Sequence, residues 1–137
     1  MPKKPLTPEF CLQIRPYHCE LMVLYKPTLE KVVKYHRIMN FEPPNQEEYN
    51  GFSGLVLWNG SRGVLFLNLD VTNIEFGSVL AHECGHIALR VFDRIGEKNQ
   101  PTSFMHEPFC YLLSNVYQRV WEACLKIDVS RNGNKST

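Results

Sequence analysis

Two histidines and a glutamate in the run His82-Glu83-Cys84-Gly85-His86 carry the strongest chemical signal in the chain. On a helix each residue turns by about 100° and rises by about 1.5 Å, so side chains four apart share one face, a turn from each other. Both imidazoles can then reach a single zinc ion at roughly 2.0–2.1 Å from each ligating nitrogen. Glu83 points to the open side of such an ion. There its carboxylate can take a proton from a water whose pKa the zinc lowers to about 7. The chemistry expected of this pattern is hydrolysis with His82 and His86 on the metal and Glu83 as general base.

Two histidines leave a catalytic zinc one protein ligand short. The candidates downstream are Asp93, Glu97, His106 and Glu107. Asp93 stands about 10 Å along the same helix from His86, too far to share an ion. Glu97 falls in the run Gly96-Glu97-Lys98-Asn99-Gln100-Pro101. Glu107 is the best placed: it precedes Pro108, and proline is favoured in the first turn of a helix, so Glu107 is expected to open the helix that follows. A loop of about a dozen residues lets that helix fold back across the first and aim Glu107 at the histidines. His106 is the alternative ligand, and Cys84 and Cys110 are lesser ones. Tyr111, a turn beyond Glu107, is a candidate donor to a developing oxyanion.

The pattern His82-Glu83-x-x-His86 with Glu107 placed 21 residues further on resembles the gluzincin arrangement of zinc peptidases. The longer run Leu80-Ala81-His82-Glu83-Cys84-Gly85-His86, then Asp93-Arg94-Ile95-Gly96, then Glu107-Pro108-Phe109-Cys110-Tyr111-Leu112-Leu113 is similar to small single-domain H-E-x-x-H proteins of bacteriophages and prophages. The likeness covers roughly residues 19–122. It implies a minimal zincin fold, zinc on His82, His86 and Glu107, and Glu83 as base; it implies no particular substrate. Two departures stand out. The acid that orients a zinc histidine in thermolysin-like enzymes is replaced by Cys110, which leaves Ser114, Asn115 or a backbone carbonyl to do so. The glycine and third histidine of a metzincin are replaced by Leu89 and Phe92.

The motif helix must hold its histidines out while burying its other side. Phe76, Leu80, Cys84, Ile87, Ala88 and Val91 fall in a band roughly opposite the midpoint of His82 and His86. Thr72 or Asn73 is expected to cap this helix, with Glu75 near its positive end, and Gly96 to stop it. Gly85 costs about 1 kcal/mol relative to alanine in a helix interior, and the expected reason is close approach of a neighbouring helix or a substrate chain.

Before the motif the chain reads as strands around one helix. Phe10 to Ile14 alternates, Glu20 to Tyr25 is an apolar run stopped by Lys26-Pro27, and Thr28 caps an amphipathic helix through Leu29, Val32, Val33 and His36. His18 and His36 are solitary and read as structural. Residues 41–51 read as a surface loop with solvated acids. Phe52 to Trp58 and Gly63 to Leu69 are strands joined by Asn59-Gly60-Ser61-Arg62, a hairpin signal. By analogy with zincins, Val64 to Asp70 is expected to be the sheet edge along which an extended substrate pairs.

With 137 residues, 44% of them hydrophobic and 21% charged, the chain can bury one core. The expectation is a single α+β domain over residues 1–137: a small antiparallel or mixed sheet packed on the motif helix and a following ligand-bearing helix, with termini frayed over about 1–8 and 128–137. A net charge of +1 gives no electrostatic footprint for nucleic acid or an anionic membrane. Cysteines 11, 19, 84, 110 and 124 form no C-x-x-C pair and read as free thiols in a reducing compartment, so a cytoplasmic location is expected, in the host cell if phage-encoded. Two function classes follow. The first is a zinc-dependent metallopeptidase acting on an intracellular protein or peptide. The second is a non-catalytic zinc-binding module that binds a host or phage protein. The weak basic character argues against a peptidase of DNA-bound proteins.

Overall fold

The computed structural model describes residues 8–95 and 102–135, with side chains left out at 95, 102–106 and 132–135. Four strands and four helices follow in the order β1 (Glu9–Ile14), β2 (Cys19–Tyr25), α1 (Leu29–Ile38), α2 (Gln46–Gly51), β3 (Gly54–Asn59), β4 (Arg62–Leu67), α3 (Phe76–Ile95) and α4 (Thr102–Lys135). The strands make one mixed sheet in the order β1-β2-β4-β3. β2 and β4 run parallel, while β1–β2 and β3–β4 are antiparallel. The α+β class and the mixed sheet expected from the sequence are both present.

Each face of the sheet is covered. Leu21, Val23, Tyr25, Leu65 and Leu67 share a core with the buried sides of α3 and α4. Leu24, Leu57, Val64 and Phe66 pack on the other face with Val32 and Met39. β4 therefore has buried residues at every position from Gly63 to Leu67, because a central strand with helices on both sides loses the in-out alternation of an edge. Thr28 caps α1, its hydroxyl accepting from the Lys31 N–H at 3.3 Å. His36 is a core residue: its ring stacks on Phe66 with centroids 5.3 Å apart, and Nδ1 lies 2.8 Å from the Val32 carbonyl.

Three expectations need correction. Residues 46–51 are helical rather than loop, because Asn45 and Glu48 form a capping box: the Asn45 side chain accepts from the Glu48 N–H, and the Glu48 carboxylate accepts from the Asn45 N–H. Helix α4 begins at Thr102, so Pro108 lies inside it and not in its first turn. The segment from about 128 is helical to Lys135, with Ile127 buried and Asp128 accepting from the Tyr25 hydroxyl. Finally, β4 is central, so Val64 to Asp70 is not a sheet edge; the edge strands are β1 and β3, and β3 is the one beside β4. The hairpin that joins β3 to β4 is as expected, with Gly60 at φ 64° in the turn. The cap expected from Gly96 lies outside the described residues.

The approach to α3 is tied down by two polar groups. The Asp70 carboxylate accepts from Thr72, from its N–H at 3.2 Å and its hydroxyl at 2.9 Å, and pairs with Lys26 at 3.0 Å. These partners hold the Asp70 carboxyl well below the usual range. The fully buried Tyr25 hydroxyl donates to Asp128 Oδ1 at 2.8 Å and accepts from the Val71 N–H at 2.9 Å, joining the end of β2 to α4 and to the segment before α3. Replacing Tyr25 with Phe would orphan the Val71 N–H in a site where water cannot reach it. The expected loss is about 2–3 kcal/mol, read as a lower urea midpoint at unchanged slope.

Candidate metal centre

Helix α3 sets the site by its rotation. Phe76, Leu80, Cys84, Ile87, Ala88 and Val91 are completely buried, the stripe expected from their spacing. The opposite side carries His82 and His86, both exposed. Asn73 prepares the first turn, its side chain accepting from the Glu75 N–H at 2.8 Å and its carbonyl from the Phe76 N–H at 3.0 Å.

The two imidazoles converge. His82 Nε2 and His86 Nε2 are 3.1 Å apart, with the rings nearly perpendicular at 81°. Two nitrogens bound to one zinc at 2.0–2.1 Å with a tetrahedral angle are about 3.4 Å apart, so the span suits a shared ion. Together with a Glu83 carboxylate oxygen the ligand atoms lie within 4.8 Å of one another, the only such group of three or more among the described residues.

Glu83 differs from the histidines. It is 5% exposed, and burial pushes its carboxyl up from the usual range, with the His82 and His86 imidazoles pulling the other way. No hydrogen bond holds the carboxylate among the described residues, and no fully buried side-chain oxygen lacks a partner, so its oxygens reach the groove. That groove, about 450 Å³, is lined by Phe52, Ser53, Gly54 and Leu55 on one side and Ser78, Val79, His82, Glu83 and His86 on the other.

The strand bordering the groove is β3. Ser53 accepts from the Asn68 N–H at 2.8 Å, which fixes the phase of the β3–β4 ladder. Leu55, Leu57 and Asn59 then point their peptide groups at β4, and Gly54, Val56 and Trp58 point theirs outward. Among the described residues no strand occupies that outer edge. The sequence pattern missed Gly54 altogether. Its backbone is not in the positive-φ region, and what requires glycine is space: a Cβ there would lie 2.7 Å from Val79 Cγ1 and 2.9 Å from Glu83 Cγ. Gly85, by contrast, meets nothing within 4 Å, so no neighbouring helix explains it, and the space above it is open.

Glu107 does not join the cluster. It is exposed on α4 and lines a second groove with Arg15, Tyr17, Pro108 and Tyr111. The reason is the rotation of α4. Phe109 packs against Phe92 and Leu112, Val116 and Val120 are buried, and Glu107 lies two residues before Phe109, about 200° around the helix. Tyr111 is 71% exposed in that second groove, away from the lining of the first. Asp93 is exposed, and Cys110 is an exposed free thiol. Cys84 is a buried free thiol pushed up to about 12 by burial and then by Glu83, which suits packing better than ligation. Glu97 and the His106 side chain lie outside the described residues.

Among the described residues no helix is long and apolar enough to cross a membrane. No protein-family model, no curated protein and no solved structure matches this chain.

Proposed function

We propose that the protein is a zinc-dependent metallopeptidase that cleaves a protein or peptide bound in extended form along β3. The observation that carries this reading is the convergence of His82 and His86 at 3.1 Å, beside Glu83, in a groove bordered by a free strand edge. A zinc ion held by the two histidines supplies Lewis acidity and lowers the pKa of water towards neutrality. Glu83 does the proton work: a carboxylate oxygen accepts the proton of the attacking water and returns it to the nitrogen of the departing amine. Its buried stem and open tip suit that role, since packing holds the stem while the carboxylate stays at the groove.

The outward N–H and C=O groups of Gly54, Val56 and Trp58 can pair with a substrate backbone, and the apolar walls at Phe52, Leu55 and Val79 can receive its side chains. A structural zinc site is closed by four protein ligands. Exposed histidines on an open groove favour the catalytic reading over the binding module.

Glu107, the candidate for the third protein group that a catalytic zinc takes, is not among the residues that converge, which are His82, Glu83 and His86. It stands apart from the histidines here, so its test is separate. Glu107→Gln should weaken zinc binding at least about tenfold in a competition assay with a chelating dye; unchanged affinity removes Glu107 from the ligand set.

Glu83→Gln should bind one equivalent of zinc and cleave an unfolded protein at least about a hundredfold more slowly than wild type. Zinc at one equivalent with no cleavage by either protein would instead support the binding module. Val56→Pro removes an outward N–H at an edge position where proline is tolerated. Its kcat/KM should fall about 2–12-fold, the worth of one hydrogen bond, with the fold intact by circular dichroism.

A further inference from the structure

A buried acid with no hydrogen-bonding partner among the described residues is aimed by packing, and Glu83 is packed by Gly54. The first residue of β3 lies so close to α3 that an added Cβ would stand 2.9 Å from Glu83 Cγ and 3.4 Å from its Cδ, as well as 2.7 Å from Val79 Cγ1. Contacts below about 3 Å force one partner to move. Gly60 is the glycine with positive φ among the described residues, so the backbone at Gly54 is one that any residue can adopt. Only the missing side chain is needed. The Glu83 stem lies beneath the strand with its carboxylate at the groove, where the outward peptide groups of Gly54 also face.

We propose that Gly54 is a positioning residue for Glu83: the side-chain-free start of β3 confines the Glu83 stem against α3 and aims its carboxylate at the groove beside the free edge. A methyl group at Gly54 would push the Glu83 stem aside while leaving the outward N–H and C=O of residue 54 in place. Misplacement of a reacting group by about 1 Å can cost on the order of a hundredfold in rate. The catalytic consequence rests on the metallopeptidase reading; the packing relation does not.

The experiment separates the two. Val79→Ala serves as the common background, because it removes the other close contact and leaves Glu83 Cγ as the atom that meets a new methyl. In that background Gly54→Ala should shift the unfolding equilibrium at least about fivefold towards the unfolded state. With Glu83→Ala also present the shift should be within about twofold, since the colliding atom is gone. If Gly54→Ala does not fold in the Val79→Ala background, its recovery by Glu83→Ala gives the same answer. An equal shift in both backgrounds, or none in either, overturns the proposal. Where the Val79→Ala parent cleaves peptide, adding Gly54→Ala should lower kcat at least about tenfold while KM and zinc affinity stay within about threefold. A loss confined to KM or to zinc affinity would overturn the positioning role. If the wild-type protein does not cleave, the metallopeptidase reading fails while the stability cycle still decides whether Gly54 holds Glu83.

Discussion

The rotation of α3 about its own axis is the constraint from which the site follows. Six completely buried side chains on one side of the helix, from Phe76 to Val91, fix that rotation. Burying a Leu, Ile or Phe side chain is worth about 1.5–3 kcal/mol each, so turning the helix by even one residue would expose several of them. It would also draw His82 or His86 into the core without partners, which is costly in its own right. With the apolar stripe inward, the histidines have to face the groove, and their spacing brings the two Nε2 atoms to 3.1 Å. Glu83 lies between the two environments, and so it has a buried stem and an open carboxylate.

The second determinant is the order of the strands. A parallel β2–β4 pair places β4 in the middle and leaves β3 at the margin, next to α3. Two glycines make room where side chains would collide. Gly63 lies opposite Trp58, where a Cβ would come within 2.3 Å of the indole, and Gly54 lies over Val79 and Glu83. The first lets the hairpin close over a large aromatic ring. The second brings an edge strand within contact distance of the acid. Both serve distance between neighbours, whereas Gly60 in the turn serves backbone conformation.

Several of these features were legible in particular residues. The stripe Phe76, Leu80, Cys84, Ile87, Ala88 and Val91 announced both the helix and its buried face, and Asn59-Gly60-Ser61-Arg62 announced the hairpin. Thr28 announced the start of α1. The capping pair Asn45 and Glu48 was equally present but lay in a run of polar residues, where a two-turn helix with no buried face gives no apolar period. Phe109, Leu112, Val116 and Val120 already place Glu107 about 200° away from the packed side of its helix, whereas Pro108, a residue common in the first turn of helices, lies within a helix that begins at Thr102.

By itself the sequence determined the elements and the local chemistry: two histidines and a glutamate within a turn of one helix, because side chains three and four apart on a helix are neighbours whatever surrounds them. Strand order, the identity of the free edge, the role of Gly54 and the separation of Glu107 from the histidines were decided only by tertiary structure. These are relations between segments distant in the chain. They are set by which apolar faces bury each other most completely, and no local spacing rule contains that information.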